Sequence, residues 1–146
     1  MTNADDRSYR DAMSSSVRLS QQDQNQEALR ILDEALAMAM RQNENRWVLT
    51  LSHHAAVISK FVGDLERGRS YYQKSLELNP DNPRALLGLA DVAKAQGDLE
   101  LAGGYAKRCH KALIEGDDFL RNELLELLLK KWPDATEHKE RVNPPQ

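Results

Sequence analysis

Two adjacent pairs of side chains are of types that can do chemistry. His53-His54 could ligate a metal ion, and Cys109-His110 could supply a thiol nucleophile and its base. Neither spacing suits the task on a helix, where neighbours point about 100° apart and do not converge on one ion or one proton. No further His or Cys falls three or four residues from His53 or His54, and His138 stands alone in a polar C-terminal stretch. Cys109 is expected to be a buried structural thiol. Gly103-Gly104 lacks the Lys-Ser/Thr pair and the preceding strand of a phosphate loop, and is expected to mark close helix contact. With no convergent acid, base, nucleophile or metal set, the chain is predicted to be non-enzymatic, with no metal and no cofactor.

The elements that would have to position any site are helices. Of 146 residues, 7 are glycine, 5 are proline and 29% are charged with both signs interspersed, which fits one helix-rich domain of modest core. Proline is absent before Pro80 and glycine before Gly63, so only the polar clusters 23–26 and 42–45 interrupt the first third. Between them Ala28, Leu29, Ile31, Leu32, Ala35, Leu36 and Met38 recur at three- and four-residue steps, the stripe of an amphipathic helix. The net charge of −3 offers no positive field to a phosphate backbone, so nucleic acid is not an expected partner. No stretch approaches the roughly 20 apolar residues that span a bilayer. The first residues lack the basic-then-apolar run of a secretory signal, and the single cysteine cannot form an internal disulfide. A cytoplasmic protein without membrane insertion is the expectation.

The organisation is repetitive. Lys60-Phe61-Val62-Gly63-Asp64-Leu65-Glu66 recurs 34 residues later as Lys94-Ala95-Gln96-Gly97-Asp98-Leu99-Glu100, with five of seven positions identical. The same offset relates three pairs of small residues: Ala56 to Ala90, Gly68 to Ala102 and Ser75 to Cys109. Gly63 and Gly97 suit the left-handed residue that ends one helix, and Asp64 and Asp98 can cap the next. Asn82-Pro83 supplies another start signal and Pro80 a stop. Each unit therefore reads as two closely packed helices.

These residues resemble the tetratricopeptide repeat family. Its pattern falls in the third unit on Leu86, Leu89, Ala90, Ala93, Ala102, Ala106 and Cys109, and in the second on Ser52, Ala55, Ala56, Ser59, Gly68, Tyr72, Ser75 and Pro80. A first unit puts Ala12, Ser15, Ser16, Leu19, Ala28, Leu32 and Ala35 in register, followed by six extra residues near 41–46 that resemble the longer-helix variant of these repeats. Ser52 and Ser59 replace bulky residues, and Ile114 stands in place of the third proline. The resemblance implies an all-α, right-handed superhelical solenoid of three helix pairs within a single domain over residues 1–146. The pairs would span about 9–42, 49–82 and 83–116. A capping helix about 117–131 would bury Phe119, Leu120, Leu124, Leu127 and Leu128, and a tail 133–146 is expected to be mobile beyond Ala135, as are the first few residues.

The resemblance also implies that the first helix of each pair lines a concave surface that binds a partner peptide or helix. The residues in register are Arg10, Met13 and Val17, then His53, His54, Val57 and Lys60, then Arg84, Leu87, Asp91 and Lys94. Lys60, Arg84 and Lys94 with apolar neighbours would suit another protein's acidic segment with apolar anchors. Relatives that clamp a terminal carboxylate carry Asn where this chain has Val17, Val57 and Asp91, so that variant is not expected. Leu125 and Leu129 remain on a flank of the capping helix, as an apolar end of the groove, a patch for homo-oligomerisation, or residues folded under the tail. The leading expectation is an adaptor or scaffold; a chaperone for a secreted or assembling protein and a self-assembling structural protein are the alternatives.

Overall fold

The computed structural model describes residues 3–136, in which 133–136 form a 3-10 turn with Ala135 buried; the tail expected to be mobile beyond Ala135 lies outside them save for residue 136. Seven helices and no strand are found among the described residues. They are α1 (Asn3–Gln21), α2 (Asn25–Arg41), α3 (Asn45–Phe61), α4 (Leu65–Leu78), α5 (Pro83–Ala95), α6 (Leu99–Glu115) and α7 (Arg121–Lys131). The chain divides into two compact units, Met1–Leu78 and Asn79–Gln146.

One turn, used four times, builds the helix pairs. Gly63 and Gly97 adopt φ of +84° and +87°, as their type predicts, and Asp23 and Asn43 take the same left-handed conformation at φ of 65° and 55°. The amide after each of these residues donates back to a carbonyl five residues earlier: Gln24 to Leu19, Glu44 to Ala39, Asp64 to Ser59 and Asp98 to Ala93, all at 2.8–2.9 Å. The bond satisfies a carbonyl that the ending helix leaves unpaired and reverses the chain within three residues. Asp64 and Asp98 then accept from the amides of Arg67 (3.2 Å) and Leu101 (3.0 Å). The connection from α4 to α5 is of another kind: Pro80 ends one element, and Asn82 caps the next through the amides of Arg84 (3.1 Å) and Ala85 (3.4 Å).

In the first unit α1 packs on α2, α2 on α3 and α3 on α4, with α1 also touching α3. Tyr9, Ala28, Leu29, Leu32, Leu51, Ala55, Ala56 and Tyr72 are its buried centre. Gly68 brings α4 against α3, and a Cβ there would lie 3.5 Å from the Ala56 carbonyl oxygen, ordinary contact that its counterpart Ala102 makes plausible on steric grounds. The six extra residues lengthen helices rather than a loop: α2 and α3 each run to 17 residues, against 14 for α4 and 13 for α5. Asp33 on α2 accepts from the Tyr71 hydroxyl and from Arg67 (2.6 Å), tying α2 to α4, and burial pushes the Tyr71 phenol up to about 12.

In the second unit α5 packs on α6, and α6 on α7. Three expectations are corrected here. A Cβ on Gly103 or Gly104 would meet nothing within 4 Å, so these glycines do not mark close helix contact. The last helix begins at Arg121, not near 117, because the Asp118 carboxylate accepts from the Leu120 amide (2.8 Å) and holds the chain in a turn first. Its buried side is also narrower than the leucine pattern suggests: Leu128 is buried, Leu120 and Leu124 are partly covered, and Phe119 and Leu127 are 87% and 41% exposed.

Ser52 and Ser59, the departures from bulky residues, are completely buried, and neither hydroxyl has a partner among the described residues. A desolvated hydroxyl without an acceptor is a penalty that a methyl group avoids. Ser52→Ala and Ser59→Ala should each stabilise the protein by about 1 kcal/mol in urea unfolding.

Candidate functional site

The first helices of the pairs carry the residues expected to bind. In the first unit these are α1 and α3, which touch, so their outward residues form adjacent rows. Met13 is half-buried, while Val17 and Val57 are 38% and 44% exposed despite their apolar side chains. Phe61, absent from the expected set, lies one helical turn beyond Val57 and is 77% exposed. Its four-residue spacing from Val57 was the available signal. The polar members surround this apolar strip. Arg10 pairs with Asp6 (2.6 Å) and lies 5.9 Å from the centre of the Trp47 ring. Lys60 stands 5.7 Å from the Tyr72 ring, and His53 meets the same ring edge-on at 6.3 Å. His54 is partly buried, which holds its imidazole below the ordinary value of 6.5.

The α5 residues are differently placed. Arg84 makes two bonds to Asp118, Nη1 to Oδ2 at 2.7 Å and Nη2 to Oδ1 at 3.1 Å, and the guanidinium holds that carboxyl below the usual range. Lys131 donates to Asp91 at 3.3 Å, Lys94 lies 5.3 Å from the Trp132 ring, and Leu87 is only 7% exposed. Three polar positions expected to meet a partner are thus engaged by the chain that follows α6. Sequence reasoning missed Asp118, Lys131 and Trp132 in these roles. Asp118 stands 34 residues after Arg84, one repeat length, which is the signal that could have paired them.

The two chemical pairs are structural in setting. Cys109 donates to the Pro83 carbonyl oxygen at 3.3 Å, and burial, reinforced by the negative charge of Asp91, pushes its thiol up to about 12. Native protein at pH 8 should therefore resist an aromatic disulfide reagent, with labelling at Cys109 appearing only on unfolding. His54 predicts a pH effect of defined sign. A buried neutral imidazole binds its proton less readily than the unfolded chain does, so stability is full above about 6.5 and falls as the pH drops through that value toward the lower folded one. Urea unfolding at pH 7.5 and pH 5.5 should show this loss in the wild type and a smaller one in His54→Gln.

Residues 61–109, from the end of α3 to Cys109 on α6, match the family model of the tetratricopeptide repeat. A protein of Pseudomonas putida (strain KT2440) described as a probable biofilm formation methyltransferase, WspC, is 38% identical over 61 residues. That stretch is 42% of this chain, and the chain spans only 14% of the length of that relative. The matched region contains the two copies of the seven-residue motif, save Lys60, and two of the four left-handed turns, so residues 61–109 are a tetratricopeptide repeat region.

Proposed function

We propose that the protein is a non-enzymatic interaction module, an adaptor or scaffold, whose α1 and α3 face takes an acidic segment with apolar anchors from another protein. The observation that carries this reading is the row of exposed apolar side chains, Val17, Val57 and Phe61, on adjacent helices with Arg10 and Lys60 beside them. Apolar anchors in such a face would supply affinity, and the cations would orient an acidic chain. The α5 residues Arg84, Asp91 and Lys94 are held by internal partners and take a lesser part in this reading. The relative's methyltransferase name is not carried over, because the likeness covers so little of that protein.

The test is selection of peptides from a displayed library on the full chain, followed by fluorescence anisotropy. Selected peptides should combine Asp or Glu with Leu, Ile or Phe at helical spacing. Val57→Asp with Phe61→Ser should weaken their binding about ten-fold or more, and Lys60→Glu should flatten its salt dependence. Peptides that bind the double variant as well as the wild type would place the site elsewhere.

A further inference from the structure

The last helix leaves part of its apolar surface uncovered. Leu120 precedes α7 directly, and Leu120, Leu124 and Leu127 follow one another at steps of four and three residues, so they lie within an arc of about 60°. Leu128 alone on this helix is buried, so the stripe lies beside the packed side rather than on it. Leu125 and Leu129, the residues expected to form an association patch, are partly covered, and the more open leucine is Leu127 at 41%. Lys131 ends the stripe, with its ammonium group held by Asp91.

The charges beside the stripe say what it fits. Steps of four and three are the spacing of a two-helix seam, and Glu123 and Lys130 then occupy the same flank of that seam, seven residues apart. Both are exposed, and neither has an ion-pair partner among the described residues. In an antiparallel pair of identical helices the same flanks face each other across the two-fold axis. With Leu124 opposite Leu127 of the second copy, Glu123 comes opposite Lys130, and the symmetry makes that pair twice. A parallel pairing would bring opposite flanks together, so Glu123 and Lys130 would not meet each other.

We propose that α7 is a homodimerisation surface: the Leu120, Leu124 and Leu127 stripe packs antiparallel against its copy, with Glu123 and Lys130 of each chain meeting Lys130 and Glu123 of the other. This surface is separate from the α1 and α3 face and does not depend on the function proposed for it. A three-leucine seam is well short of a standard interface of about 1,600 Å², so the dimer is weak, with dissociation on the order of 100 µM.

Sedimentation equilibrium of the full chain from about 10 µM to about 1 mM brackets that value. The wild type should pass from monomer to dimer, and Leu127→Glu should remain a monomer with an unchanged helical circular dichroism spectrum. Glu123→Lys and Lys130→Glu should each weaken the dimer about ten-fold, since each turns two attractions into two repulsions. An equimolar mixture of these two variants should recover association as a heterodimer, because one then carries two cations and the other two anions on the facing flanks. A wild type that stays monomeric throughout, with the stripe covered by residues 137–146 or reserved for another protein, overturns the proposal. So does a dimer that neither charge variant weakens, or a mixture of the two that associates no better than either alone.

Discussion

Reversal of the chain within three residues is the constraint on which the rest depends. Helices can pack side by side with so short a connection only if one residue turns left-handed and the next amide reaches back to a carbonyl five residues earlier. The chain meets that requirement at Asp23, Asn43, Gly63 and Gly97 with nearly the same hydrogen bond each time. Small side chains then set how near the paired helices come. Ala56 and Gly68 do so in the first unit, and Ala90 and Ala102, all buried, stand in their places in the second.

The proposed binding face is what such packing leaves outside. Each helix commits one stripe to its neighbours, and side chains on the first helices that are not needed there become surface. Val17, Val57 and Phe61 are apolar without being core, and their exposure distinguishes them from Leu51 or Ala55 on the same or a touching helix. On α5 the corresponding polar side chains are engaged by Asp118, Lys131 and Trp132, so equivalent repeat positions have acquired different uses. The charge of Arg84 contributes to holding the turn before α7.

The helices, their repeat and two of the four left-handed turns are readable in the chain because they rest on local chemistry. A glycine followed by aspartate ends one helix and caps the next wherever it occurs. Asp23 and Asn43 do the first task less visibly, since Asp and Asn tolerate positive φ at a cost that glycine avoids, and the polar clusters around them read only as interruptions. The tetratricopeptide resemblance, matched over residues 61–109, and the all-helical fold of the described residues rest on such local patterns. Gly103-Gly104 and Phe119 show its limit. A glycine pair has the composition of a close contact and a phenylalanine that of a core residue, yet nothing packs near the first and Phe119 is mostly exposed.

Local spacing sufficed for where helices start and stop and for which residues share a face, since hydrogen bonds and side-chain directions within a few residues decide both. Which charges remain for a partner, and which leucines of α7 are covered, depended on folding. Arg84 meets Asp118 across 34 residues, and Asp91 meets Lys131 across 40. Such pairings depend on the approach of whole helices, whose spacing is set by side-chain volume at contacts distant in the chain. A helical pattern specifies the direction of a side chain about its own axis and carries no record of what that direction meets.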